Sequence, residues 1–143
     1  MSLFGPAEVA FVTGAASGIG RATALQFVAD GIRQIFFVDI SMKGLDETVA
    51  LIETKFRETK VEWTTADVSI ATNVDYVVSE PVKAFGRIDY CVNSAGTGGP
   101  FGRITEQDER TLDKTFNINV KGIWLCERAQ IAQMLKQDLR LLK

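Results

Sequence analysis

Residues 9–30 constrain the fold more than any other stretch of this chain. Val9, Ala10, Phe11 and Val12 form an apolar run without helical period, which suits a strand buried in a parallel sheet. Thr13 and Gly14 end it. Gly14, Gly18 and Gly20 then fall at offsets of 0, +4 and +6. Glycine is needed where the backbone turns through positive φ or passes close to a ligand or another element. From Arg21 to Asp30 the chain reads as a helix, with Ala24, Leu25, Phe27 and Val28 as its apolar face.

The alternation continues. The patterning predicts strands at 8–13, 34–39, 61–66 and 88–93, and helices at 18–30, 42–59, 70–85 and 106–137. Val49, Leu51, Ile52 and Phe56 are expected on one side of the second helix. Val74, Val77, Val78, Val82 and Phe85 are expected on one side of the third. Strands alternating with helices imply an α/β fold, a parallel sheet with helices on both faces. At 143 residues and 46% hydrophobic, the chain makes one domain with a core of ordinary size. A glycine-rich loop, residues 97–102, follows the fourth strand.

A strand, a glycine turn and a helix N-terminus together make an anion site, because the first helical turn has free N–H groups and the positive end of the helix dipole. A second apolar strand, Gln34 to Val38, ends at Asp39, 19 residues after Gly20. That is the distance at which an acid reaches the ribose hydroxyls of a dinucleotide. A carboxylate there accepts hydrogen bonds from those hydroxyls and repels a 2′-phosphate. Ala15, Ala16, Ser17, Ile40 and Ser41 are uncharged. Asp39 therefore favours NAD, while Arg21 and Lys43 keep NADP open as the alternative.

Composition removes other classes. A formal charge of −2, with no basic stripe, argues against nucleic acid. The first six residues lack the charged and apolar regions of a signal peptide. No apolar run approaches a membrane span, so a cytoplasmic protein is expected. Cys91 and Cys126 lie far apart, which suits reduced buried thiols, and no metal-ligand cluster is present.

Thr13-Gly-Ala-Ala-Ser-Gly-Ile-Gly20 resembles the TGxxxGIG motif of the short-chain dehydrogenase/reductase family. Three further stretches match in order: Asp67-Val68 after the third strand, Asn93-Ser-Ala-Gly96 after the fourth (compare NNAG), and Asn119 within the last helix. The resemblance covers roughly residues 7–137. It implies a Rossmann-like doubly wound parallel sheet of strand order 3-2-1-4, truncated after the fourth strand and the long helix that follows. Residues 1–143 would then be a single, incomplete NAD(P)-binding domain. It implies cofactor binding by Gly14, Ser17, Gly18, Ile19, Gly20, Asp39, Asp67, Val68, Asn93, Ala95 and Gly96. It also implies an NAD(P)-dependent oxidoreductase acting on CH–OH groups, with a small alcohol or ketone as substrate.

Of the family's catalytic tetrad the resemblance finds only Asn119. The Ser, Tyr and Lys are not matched: four residues after Tyr76 and Tyr90 stand Glu80 and Ser94, and the chain has no His. A phenol titrating near 10 needs a nearby cation to transfer protons at neutral pH. Two non-catalytic alternatives follow, a nucleotide- or partner-binding module and a non-functional truncated product. The fourth strand is expected at a sheet edge although Ile88, Tyr90 and Val92 suit burial. Leu112, Phe116, Val120, Ile123, Trp124, Ile131, Met134 and Leu135 are too many apolar groups for one helix face. The resemblance implies a helix packed on the sheet and against its counterpart in a second subunit, so the excess means a homo-oligomer through the last helix, a missing half or poor solubility. Residues 138–143 end with no loop and no strand, as a truncated product, a splice variant or a misread exon would.

Overall fold

Apolar side chains at successive positions of a strand point to opposite faces, so an unbroken apolar run needs cover on both sides. The computed structural model, which describes residues 2–138, supplies that cover with two layers of helix. The order is β1 (Val9–Thr13), α1 (Gly18–Ala29), β2 (Gln34–Asp39), α2 (Met42–Lys55), β3 (Lys60–Thr65), α3 (Ala71–Phe85) and β4 (Tyr90–Asn93). A short turn of 3-10 helix (Ile104–Glu106) leads into α4 (Glu109–Phe116), a π-helical segment (Asn117–Gly122) and α5 (Ile123–Met134).

All pairings in the four-stranded sheet are parallel, in the order β3-β2-β1-β4. Ala10, Val12, Ile35 and Phe37 point to one face, where Ala24 and Val28 of α1, Ile32, and Leu45 and Ile52 of α2 cover them. Phe11, Phe36 and Val38 point to the other, under Val74, Val77 and Val78 of α3 and Leu125 and Cys126 of α5. Both clusters therefore take alternate residues of the same two strands.

The predicted strands and first three helices form, with shifts at their ends. Helix α2 stops at Lys55 rather than running to 59. Phe56 leaves helical geometry at φ −134°, ψ 64°, and Lys60 N then donates to Arg33 O at 2.9 Å to start β3 beside β2. The inward stripe of α2 also differs from the expected one. Leu51 is exposed, while Leu45 and Thr48 are buried and join Ile52, with Val49 and Phe56 packed against them. The spacing 45, 48, 52 is a helical one, and Leu51 lies a quarter-turn off it. The single helix expected at 106–137 is a composite of α4, the π-helical segment and α5. The side chain of Asp108 caps its start, accepting from Thr111 N at 2.7 Å. Leu112, Phe116, Val120, Trp124, Ile131 and Leu135 are exposed along it. The expectation for the chain end falls, beyond Asp138, outside the described residues.

Cys91 and Cys126 are unpaired thiols in the α3/α5 layer. Burial pushes Cys91 up to about 12 and Cys126 to about 11, so neither forms thiolate at neutral pH.

Phe37 is fully buried in the sheet, and Phe37→Ala is expected to cost about 3–5 kcal/mol in urea unfolding. Leu51→Ser is expected to stay within about 0.5 kcal/mol. Hydrogen bonding from the Thr111 side chain, and after it the cap bond from Thr111 N, holds the Asp108 carboxyl below its ordinary value. Its contribution is complete above the unfolded value near 4 and is lost as pH falls through the lower folded value. Fraying of α4 read by amide exchange is therefore expected only below about pH 4, and Asp108→Asn should remove that pH step.

Candidate functional site

The carboxyl ends of the four strands open onto one cleft. In an open parallel sheet the strand order reverses at such a point, and the loops there leave room for a ligand. The cleft has a volume of about 690 Å³. Its floor is the β1–α1 turn (Gly14, Ser17, Gly18, Ile19, Gly20), and Asp39 and Ile40 follow from β2. Ala66, Asp67 and Val68 come from the end of β3, Ser94, Ala95, Gly96 and Thr97 from the end of β4, and Lys114 and Ile118 from the helical run.

The turn works because no Cβ occupies positions 14 and 20. Gly14 sits at φ +71°, and a methyl there would lie 2.6 Å from Ala95 N and from the Ser94 carbonyl. A methyl on Gly20 would strike the Gly14 carbonyl. The first turn of α1 thus lies directly on the loop that feeds it. Gly18, Ile19 and Gly20 open the helix, so their N–H groups have no partner within it. Ser17, the N-cap, makes no side-chain cap bond.

The neighbouring backbone is tied to the protein instead. Gly14 N donates to Val38 O at 2.8 Å. Ala16 N donates to Asp39 Oδ2 at 3.0 Å, and Ser41 N to Asp39 Oδ1 at 3.0 Å. Thr48 Oγ1 lies 2.8 Å from Ala15 O and 3.0 Å from Gly44 O, and accepts from Arg21 Nε at 2.9 Å. The Arg21 Nη2 group donates to Ala16 O, to Gly44 O and to Glu47 Oε2. Arg21 is therefore turned into a latch between the loop and α2. Lys114 is the cation among the cleft-lining residues.

Ten of the predicted site residues line the cleft: Gly14, Ser17, Gly18, Ile19, Gly20, Asp39, Asp67, Val68, Ala95 and Gly96. Asn93 and Asn119 do not. The Asn93 side chain pairs with Gln130, 2.9 Å and 3.0 Å across two bonds. Asn119 bonds Thr97 N and Thr97 O, both at 2.8 Å. Asp67 Oδ1 accepts from Ser69 N at 2.9 Å and from the Ser69 hydroxyl at 2.7 Å. Sequence reasoning placed residues 94–105 along one wall, which Ser94 and Thr97 form, and missed Ile40, Ala66, Lys114 and Ile118 as lining residues. For Lys114 and Ile118 a signal existed: they stand four apart on a helix, and Ile118 adjoins Asn119.

Neither tyrosine reaches the cleft among the described residues. Tyr90 packs against Phe4 and Phe27, and burial, with Glu8 beside it, raises its phenol. Tyr76 is half-exposed on α3.

The model of the short chain dehydrogenase family matches residues 8–139. An uncharacterized oxidoreductase of Thermotoga maritima is 37% identical over 130 residues, which are 91% of this chain and 49% of that protein. The crystal structure of levodione reductase superposes with a TM-score of 0.87 at 33% identity, covering 92% of this chain and 50% of that one. NAD+-bound xylitol dehydrogenase gives 0.85 at 29% identity over 92% and 49% of the two chains. An actinorhodin polyketide ketoreductase with NADPH gives 0.81 at 27% identity over 90% and 49%. The chain thus spans about half the length of the curated relatives it matches. No helix among the described residues is long and apolar enough to cross a membrane.

Thr48 is fully buried at the centre of the latch. Thr48→Val keeps its volume but leaves Ala15 O and Arg21 Nε without their partner. A loss of about 1–3 kcal/mol in denaturant unfolding is expected; unchanged stability would mean that Arg21 holds the loop alone.

Proposed function

The chain belongs to the short-chain dehydrogenase family, and from that premise we propose that it is the cofactor-binding half of an NAD-dependent oxidoreductase for an alcohol/carbonyl pair. The observation that carries this reading is the cradle itself: a glycine turn with no space for a Cβ at Gly14 or Gly20, open to the cleft at the free N–H groups of α1, with Asp39 beside it. Such a cradle fits a pyrophosphate. Gly18, Ile19 and Gly20 hold it there, and Gly14 keeps the loop against the end of β4. Asp39 holds the ribose hydroxyls, and Asp67 and Val68 flank the base. When bound, the nicotinamide supplies hydride transfer to or from the substrate carbon.

Asp39 also selects the cofactor. Its carboxylate repels a 2′-phosphate, and Arg21 is spent on Ala16, Gly44, Thr48 and Glu47 rather than free to bind one. Asn119 acts on the loop: its amide holds Thr97 at the rim and so shapes the wall beside the nicotinamide end. In this reading these residues bind and orient, and groups other than Tyr76 and Tyr90 carry the proton.

The exposed row Leu112, Phe116, Val120 and Trp124 recurs every fourth residue along the helical run. We read it as the face on which a second copy of the chain packs, since a row of this kind left in water favours association. Phe116→Glu together with Trp124→Glu is expected to shift sedimentation to the monomer, with the cleft unaltered. Monomeric wild type would remove this part of the reading.

Calorimetric titration of the chain with NAD, and with NADP beside it, tests the main proposal. Saturable binding that prefers NAD is expected, and Asp39→Ala should weaken it by about tenfold or more and narrow the preference. Equal binding of both cofactors by the wild type would overturn the NAD assignment. A folded chain that binds neither would overturn the site.

A further inference from the structure

Three side-chain carboxamides, of Asn119 and Gln130 in the C-terminal helical run and of Gln137 just past its end, face β4 and its flanks, and each bonds one residue there through both its oxygen and its nitrogen. Asn119 takes Thr97 N and Thr97 O, both at 2.8 Å. Gln130 accepts from Asn93 Nδ2 at 2.9 Å and donates to Asn93 Oδ1 at 3.0 Å. Gln137 accepts from Ile88 N at 2.9 Å and donates to Ile88 O at 2.8 Å. The partners Ile88, Asn93 and Thr97 run from before β4 to past its end.

The ladder holds β4 from outside the sheet's own hydrogen bonds. Within the described residues β4 pairs with β1 alone. Asp89 N donates to Val9 O at 2.9 Å, so strand alternation turns the Ile88 groups to the opposite edge. There Gln137 meets them much as a neighbouring strand would.

Gln130 stands out among the three because it is 2% exposed, beside Leu125 and Cys126 in the α5 layer. A buried amide costs free energy unless its donor and acceptor are both met, and packing alone would be served by an apolar residue. What the pair reaches is the cleft. Residues 94–97, immediately after Asn93, line one wall. Ser94 N donates to Thr13 O at 3.1 Å and Ala95 N to Thr13 Oγ1 at 3.3 Å, and both residues lie against Gly14 with no room for a methyl between. A small displacement of Asn93 therefore moves a wall already in contact with the glycine turn.

We infer that Gln130 is a positioning residue of the cleft: by gripping Asn93 through two bonds it fixes residues 94–97 against the β1–α1 turn. The affinity arm of the test rests on the dinucleotide reading given above; the exchange arm does not.

The test compares the wild-type chain with Gln130→Leu and with the double variant Asn93→Leu, Gln130→Leu. Each is melted, titrated with NAD, and followed by hydrogen exchange at Ser94, Ala95 and Thr97 without ligand. The single variant orphans the Asn93 amide, and it is expected to speed exchange at these amides and weaken NAD binding about tenfold. The double variant removes both amides, so it should recover most of the lost melting temperature while exchange stays fast and binding weak. Wild-type exchange rates in the single variant, or protection and affinity that return together with the melting temperature in the double, would reduce Gln130 to a packing residue. If the single variant does not fold, the double decides by the same two readouts. Should the wild type not bind NAD while exchange responds as stated, the dinucleotide reading falls and the positioning role stands.

Discussion

Gly14 and the peptide joining Ser94 to Ala95 approach so closely that no methyl fits between them. Much of the site follows from this contact. It requires β1 and β4 to be neighbours, which the register Thr13↔Asn93 provides. It requires a residue free to adopt φ +71°, where L side chains are strained. It also brings the end of β4 over the first turn of α1, so that the free N–H groups of that helix face a walled cleft rather than open water.

Two further sets of bonds keep the contact in place. On one side, Thr48 and Arg21 tie Ala15 and Ala16 to α2, and Asp39 ties Ala16 to the end of β2. On the other, the amides of Asn119, Gln130 and Gln137 tie β4 and its flanks to the helical run and the residues just past its end. The amides at 14–16 and the carbonyls of Ala15 and Ala16 are thereby spent on protein, and the N–H groups at 18–20 are left to a ligand. Preorganisation of this kind lowers the ordering cost of binding. The Arg21–Glu47 ion pair is partly exposed and adds little by charge alone; its geometry, which aims the guanidinium at two carbonyls, matters more.

Asn93 and Asn119 are held by partners that no motif names. Both stand where a family motif expects a functional Asn, yet each amide is occupied by a protein partner, Gln130 and Thr97. In the reading proposed above, their influence on the cleft is exerted through the backbone at 94–97. The π-helical turns at 117–122 were equally hidden, because no local residue preference separates them from an α-helix. A π segment of this sort widens the helix where it meets a site.

The strand order 3-2-1-4 came from the family resemblance, while local periodicity was enough to read the four strands, the first three helices, their parallel sheet and the turn at 14–20. Each depends on which residues alternate along a short stretch, and the chain carries that information locally. Of the ten lining residues, those of the glycine turn and Asp39 were legible from local pattern and spacing, whereas Asp67, Val68, Ala95 and Gly96 came from the family resemblance. The remainder needed tertiary structure. Leu45 rather than Leu51 is buried on α2 because helix phase against the sheet, not hydrophobicity, decides burial. Lys114 and Ile118 enter the cleft only because the last helical run crosses the carboxyl ends of the strands. Gln130 reads in sequence as an ordinary polar residue of a helix; burial 37 positions from Asn93 makes it a clamp. Such long-range pairings arise from the packing of whole elements, and no short window of sequence contains them.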